Sequence, residues 1–87
     1  MSGQPTLPSL RRAVEIRKQI SELESESIVV YCHMNRLEML KKRNLASESP
    51  SVTFDSECTE GIAKYEREIQ ELERLIEVQY QLLHSEV

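Results

Sequence analysis

Residues Cys58 to Leu83 read CTEGIAKYEREIQELERLIEVQYQLL. Taken in alternating steps of four and three, they give Cys58, Ile62, Tyr65, Ile69, Leu72, Ile76, Gln79 and Leu83. Seven of these eight are apolar or aromatic, and charged residues fill most of the turns between them. An apolar repeat averaging 3.5 residues marks a helix that packs along one stripe, as coiled-coil helices do. The stretch is therefore read as one long helix.

Working outward, the same template recurs upstream as Ala13, Ile16, Ile20, Leu23, Ser27, Val30, Met34, Leu37 and Lys41. Ser27 and Lys41 interrupt it. The β-branched run Ile28-Val29-Val30 would suit a strand in isolation, but helical signals flank it on both sides, which predicts an unbroken helix. Lys41, Lys42 and Arg43 followed by Asn44 suit a helix C-terminus, where cations meet the negative end of the dipole. Between the two stripes, Ala46 to Asp55 reads ASESPSVTFD, a polar stretch with a proline and thus a loop. Asp55 or Ser56 is expected to cap the second helix, with Glu57 and Glu60 in its first turn. The predicted layout is a flexible tail over 1–8 and a single helical domain over 9–86. Within it, one helix covers about 9–44, the loop about 45–55 and the other helix about 56–85.

If the helices fold back on each other, seam residues should meet in pairs whose numbers add to a constant. Leu37 with Ile62, Met34 with Tyr65, Val30 with Ile69, Ser27 with Leu72, Leu23 with Ile76, Ile20 with Gln79 and Ile16 with Leu83 all add to 99. Two seven-residue repeats always give some constant; the informative point is that its midpoint, between Ser49 and Pro50, falls inside the loop. The expected fold is all-α: an antiparallel two-helix coiled-coil hairpin. A chain of 87 residues with one stripe per helix buries little, so completion into a four-helix or larger bundle, by a second copy or a partner subunit, is also expected.

Charge supports the pairing. Ser9 to Ala46 holds eight Lys or Arg against five Glu, while Ser47 to Val87 holds three against ten acidic residues. A net +3 half thus faces a net −7 half. Charged residues form 30% of the chain, which has no Trp, one Phe and two Gly, a mixture that favours long helices over sheets. The longest apolar run, Ile28 to Cys32, is far short of the about 20 residues needed to span a bilayer. The N-terminus lacks the basic-then-apolar order of a secretory signal, and two isolated cysteines are no disulfide framework. A reducing compartment, cytoplasm or nucleus, is the expectation.

Cys32, His33, Cys58 and His84 are ligand-type residues, but their spacing fits no short zinc pattern. In a hairpin, Cys58 near the loop and His84 near the open end stand about 39 Å apart at 1.5 Å per residue. Cys32 lies about 13 Å from the level of Cys58, beyond the about 7 Å Cα separation of a disulfide. No nucleophile with its base, phosphate-binding glycine loop or cofactor fingerprint is present. No catalytic, cofactor or metal residues are assigned, and no enzyme activity is expected.

What the seam leaves over points to partners. Leu75, Val78 and Leu82 form a second stripe on the later helix, flanked by Tyr80; on the first helix Leu10 with Val14, Ile28 with Tyr31 and Val29 with Leu40 also lie outside the seam. Monomers rarely expose large contiguous apolar patches. Ile28, Tyr31, Leu75, Val78, Tyr80 and Leu82 are therefore the candidate partner-binding residues. Ser49, directly before Pro50 in a Ser-rich loop, is a candidate phosphorylation site beside Glu48 and Asp55. The expected function is a non-enzymatic scaffold or adaptor subunit that assembles with protein partners through helical packing. Two other readings follow from charge. Arg11, Arg12, Arg17 and Lys18, with Arg36, Lys41, Lys42 and Arg43, could serve a nucleic-acid- or chromatin-associated factor, although no aromatic platform lies among them and the acidic half opposes their field. An acidic loop tip with Glu48, Asp55 and Glu57 could instead act as an arm inserted into an enzyme channel.

Overall fold

The computed structural model describes residues 7–86. The expected N-terminal tail lies mostly outside them. Two helices make up the described chain, α1 (Leu7–Ala46) and α2 (Val52–Glu86). They pack against each other as a hairpin, and no strand occurs among the described residues. Its Cα atoms extend 71 Å along the long axis and 14 Å in both other directions, a rod two helices wide.

The seam runs where the 3-4 pattern puts it. All seventeen template positions, from Ala13 to Lys41 and from Cys58 to Leu83, are buried or half-buried. Ala13, Ile16 and Ile20 of α1 cluster with Leu83 of α2 towards the open end, while Cys58 and Ile69 are buried nearer the loop and mid-rod. Contacts across the seam follow the expected register. His33 stacks on Tyr65 with ring centroids 5.7 Å apart, Lys41 Nζ donates to Thr59 Oγ1 at 2.8 Å, and Leu37 lies against Gly61. These pairs add to 98 or 100, one step either side of the seam constant. Ile28 to Val30 are helical, because the stripe on either side continues through them and tertiary packing overrides local β propensity.

The loop differs from the expected one. It spans only 47–51, and α2 begins four residues earlier than the Asp55/Ser56 cap predicts. Ser51 is the cap: its Oγ accepts from Phe54 N at 3.1 Å, and its carbonyl accepts from Asp55 N at 3.1 Å. Asn44 then clasps the two helix ends together. Its Nδ2 donates to Ser51 O at 2.8 Å and its Oδ1 accepts from Ser51 N at 3.0 Å. Asn44 O meanwhile accepts from both the N–H and the hydroxyl of Ser47, which satisfies a carbonyl that the helix end would otherwise leave bare.

Candidate interaction surface

Around each helix, the positions beside the seam fall on two flanks. Residues just before Ile62, Ile69, Ile76 and Leu83 (Gly61, Glu68, Leu75, Leu82) lie on one; residues just after Cys58, Tyr65, Leu72 and Gln79 (Thr59, Glu66, Glu73, Tyr80) lie on the other. In an antiparallel pair like flanks meet. The first flank of α1 carries Gln19, Glu26, His33 and Leu40, and the second carries Arg17, Glu24, Tyr31 and Glu38.

The second flank is tethered. Tyr31 Oη donates to Glu73 Oε1 at 3.2 Å, and Lys41 bridges to Thr59, whose hydroxyl in turn donates to Asp55 O at 3.0 Å. The carboxylate beside it holds the Tyr31 phenol above its ordinary pKa, because ionising the phenol would lose the donated hydrogen bond and set two negative charges together.

The first flank is open between residues 19 and 30 of α1 and 68 and 79 of α2. Two adjoining depressions run along it, of about 420 and about 470 Å³, and they share Glu26. Leu23 and Leu75 floor one; Val29, Val30 and Leu72 floor the other. Glu22, Glu26, Glu68 and Glu71 edge them, and no Lys or Arg lines either. Only Glu71 of the four has an ion pair among the described residues. Arg74 reaches it from the same helix through a two-pronged contact of 2.6 and 3.0 Å. The guanidinium lowers the Glu71 carboxyl below the usual range, and the carboxylate raises Arg74 in return. Gln79 also lines the groove, and its Oε1 is buried without a hydrogen bond from any described residue.

The six residues chosen from sequence therefore divide. Leu75 is half-buried in the groove, with Val78 and Leu82 exposed beside it on the first flank. Ile28, Tyr31 and Tyr80 are exposed on the opposite side. They do not form one patch. Val29, 54% exposed, joins the groove side, a placement that its spacing from Leu40 alone does not reveal. Leu7, Leu10 and Val14 make a further apolar depression of about 440 Å³ with Arg11 and Glu15. The Glu22/Glu26 and Glu68/Glu71 pairs were visible as acidic residues, but only the register sets all four around one groove. Ser49 is exposed in the five-residue loop, next to exposed Glu48.

Cys32 is exposed and Cys58 buried, and both are free thiols. Among the described residues no group of three or more His, Cys, Asp or Glu side chains could hold a metal ion, and no helix is long and apolar enough to cross a membrane. No protein-family model, curated protein or solved structure matches the chain.

Proposed function

We propose that this protein is a non-enzymatic scaffold or adaptor subunit, which joins a multi-subunit assembly by packing further helices against its hairpin. A four-helix or larger bundle, completed by a second copy or a partner subunit, is the arrangement this reading implies. The observation that carries it is the apolar groove beside the seam, floored by Leu23, Leu75, Val29, Val30 and Leu72 and extended by exposed Val78 and Leu82. A surface area of 6825 Å² adds to this, against about 5300 Å² for a compact folded monomer of 10.1 kDa. The reading needs no cofactor, and it fits a protein working in cytoplasm or nucleus.

The test is a pair of substitutions, Leu75→Asp with Leu82→Asp. The variant should keep its helical circular dichroism while losing the partners that the wild-type chain retains in isolation from its native source. Sedimentation of both purified chains separates self-association from association with another subunit. A wild-type chain that is a folded monomer and retains no stoichiometric partner overturns the proposal.

A further inference from the structure

We infer that the groove between Gln19 and Val30 of α1 and Glu68 and Gln79 of α2 is the seat of a basic amphipathic helix supplied by a different protein. The inference rests on the adaptor reading and names the chemistry of its partner. The floor is aliphatic, and at 1.5 Å per residue the eleven-residue steps that bound it span about 16 Å, the length of about three helical turns. Helices that seat in such grooves present anchors at spacings of three and four. The edge decides the flanking residues. Glu22 and Glu26 on α1 and Glu68 on α2 stand around the floor without an ion pair among the described residues, and Glu71 beside them is already held by Arg74, so a helix whose apolar stripe is bordered by Lys and Arg meets opposite charge on both sides.

The same charges disfavour a second copy on this face. A two-fold dimer sets a patch against itself, which here would oppose Glu22, Glu26 and Glu68 to the same three. The chain does carry its own basic segment, Arg11 to Lys18, with exposed Leu10 and Val14. Leu10 and Val14 sit on the opposite flank from the groove, so docking them into a neighbour's groove is a head-to-tail contact, which builds a ring where the rotation closes and an open filament where it does not. Either product is a self-association that sedimentation of the purified chain reads directly.

The experiment uses the full 87-residue chain and three labelled synthetic peptides of about 18 residues. One has a Leu stripe at three-four spacing flanked by Lys and Arg; the second has the same stripe flanked by Glu; the third has the first peptide's composition in scrambled order. Fluorescence anisotropy is read at low and high salt. The striped basic peptide should bind at least about tenfold tighter than either control, and salt should weaken it. E22K with E26K should weaken binding about tenfold, whereas E57K with E60K, the same charge change near the loop, should shift it less than about twofold. Leu75→Asp should abolish it, with circular dichroism verifying that each variant is still helical.

Equal binding of the scrambled peptide, or equal effects of the two charge reversals, would reduce the result to bulk attraction and overturn the inference. Preference for the Glu-flanked peptide, or no binding at all, overturns it too. So does concentration-dependent self-association that E22K with E26K abolishes, since a second copy would then be the occupant. None of these outcomes decides the adaptor reading, which stands or falls on native partners and the Leu75/Leu82 variant.

Discussion

The two flanks of the hairpin seam face the same solvent and are closed by different means. On one, Tyr31 reaches Glu73 and Lys41 reaches Thr59, so side chains of α1 and α2 satisfy each other. On the other, the aliphatic floor between Leu23 and Leu75 is left uncovered and edged by glutamates that find no cross-helix partner. Exposed hydrogen bonds of the first kind contribute little net stability, because water competes for both groups. Uncovered apolar surface of the second kind is worth more when a partner removes it from water. The seam holds the hairpin together, one flank finishes it, and the other is where another helix gains most by packing.

The sharpest way to break that division is to attack what both flanks share. Ile69 is 5% exposed in the middle of the seam, and Ile69→Asp would bury a charge with no partner. A loss of about 3 kcal/mol or more is expected, read as loss of the cooperative thermal transition in circular dichroism. If this variant melted like the Leu75/Leu82 pair, the separation of seam from flank would fail. Asn44→Ala comes next. It removes both bonds to Ser51, which are solvent-exposed like those of the tethered flank but are lost together, and should cost about 0.5–1 kcal/mol in a urea titration while leaving peptide binding to the groove unchanged.

The seam was legible because periodicity over many turns is a strong signal, and even its exceptions were placed. Lys41 does occupy a half-buried seam position, with its ammonium carried out to the Thr59 hydroxyl. The loop was less legible. Asp55 and Ser56 looked like caps because both are good cap residues, but Ser51 wins through its bonds to Phe54 and Asn44, and the Asn44 partner is seven positions away in sequence. The interaction surface was only half legible. Spacing marked Leu75, Val78 and Leu82 as one stripe, yet Tyr80 and Tyr31 differ from them by flank, which depends on the hand of the helix and on the pairing. The acidic edge belongs to both helices at once, so neither helix read alone reveals it.

Gly61 tests how tightly the groove flank is packed near the loop. A Cβ there would stand 2.6 Å from Leu37 Cδ1, so alanine forces that methyl to move. Leu37 is half-buried and the clash is with the far end of its side chain, so a rotamer adjustment can relieve it. The about 1 kcal/mol gained by replacing glycine inside a helix is then offset by about 0.5–1.5 kcal/mol of rotamer strain. Gly61→Ala should therefore shift the urea midpoint only slightly. A large destabilisation would mean that Leu37 is locked and the two helices are in closer contact at this level than a half-buried leucine suggests.

The smallest effect belongs to the tethered flank. The Tyr31 phenol is held above its ordinary pKa of 10.0 by the hydrogen bond it donates to Glu73 and by that carboxylate's charge. A group whose folded pKa is raised adds stability that is fully present below the unfolded pKa and lost as pH rises through the folded one. The tether should hold at neutral pH and fail above about pH 10, where the phenol ionises beside Glu73. Other tyrosines and the lysines also titrate in that range, so the readout is a difference. Wild-type and Tyr31→Phe chains should differ by a constant small amount between pH 7 and 9 and converge only above about pH 10. Parallel curves across the whole range would show that the bond contributes nothing in water, and that the two flanks differ in apolar floor alone.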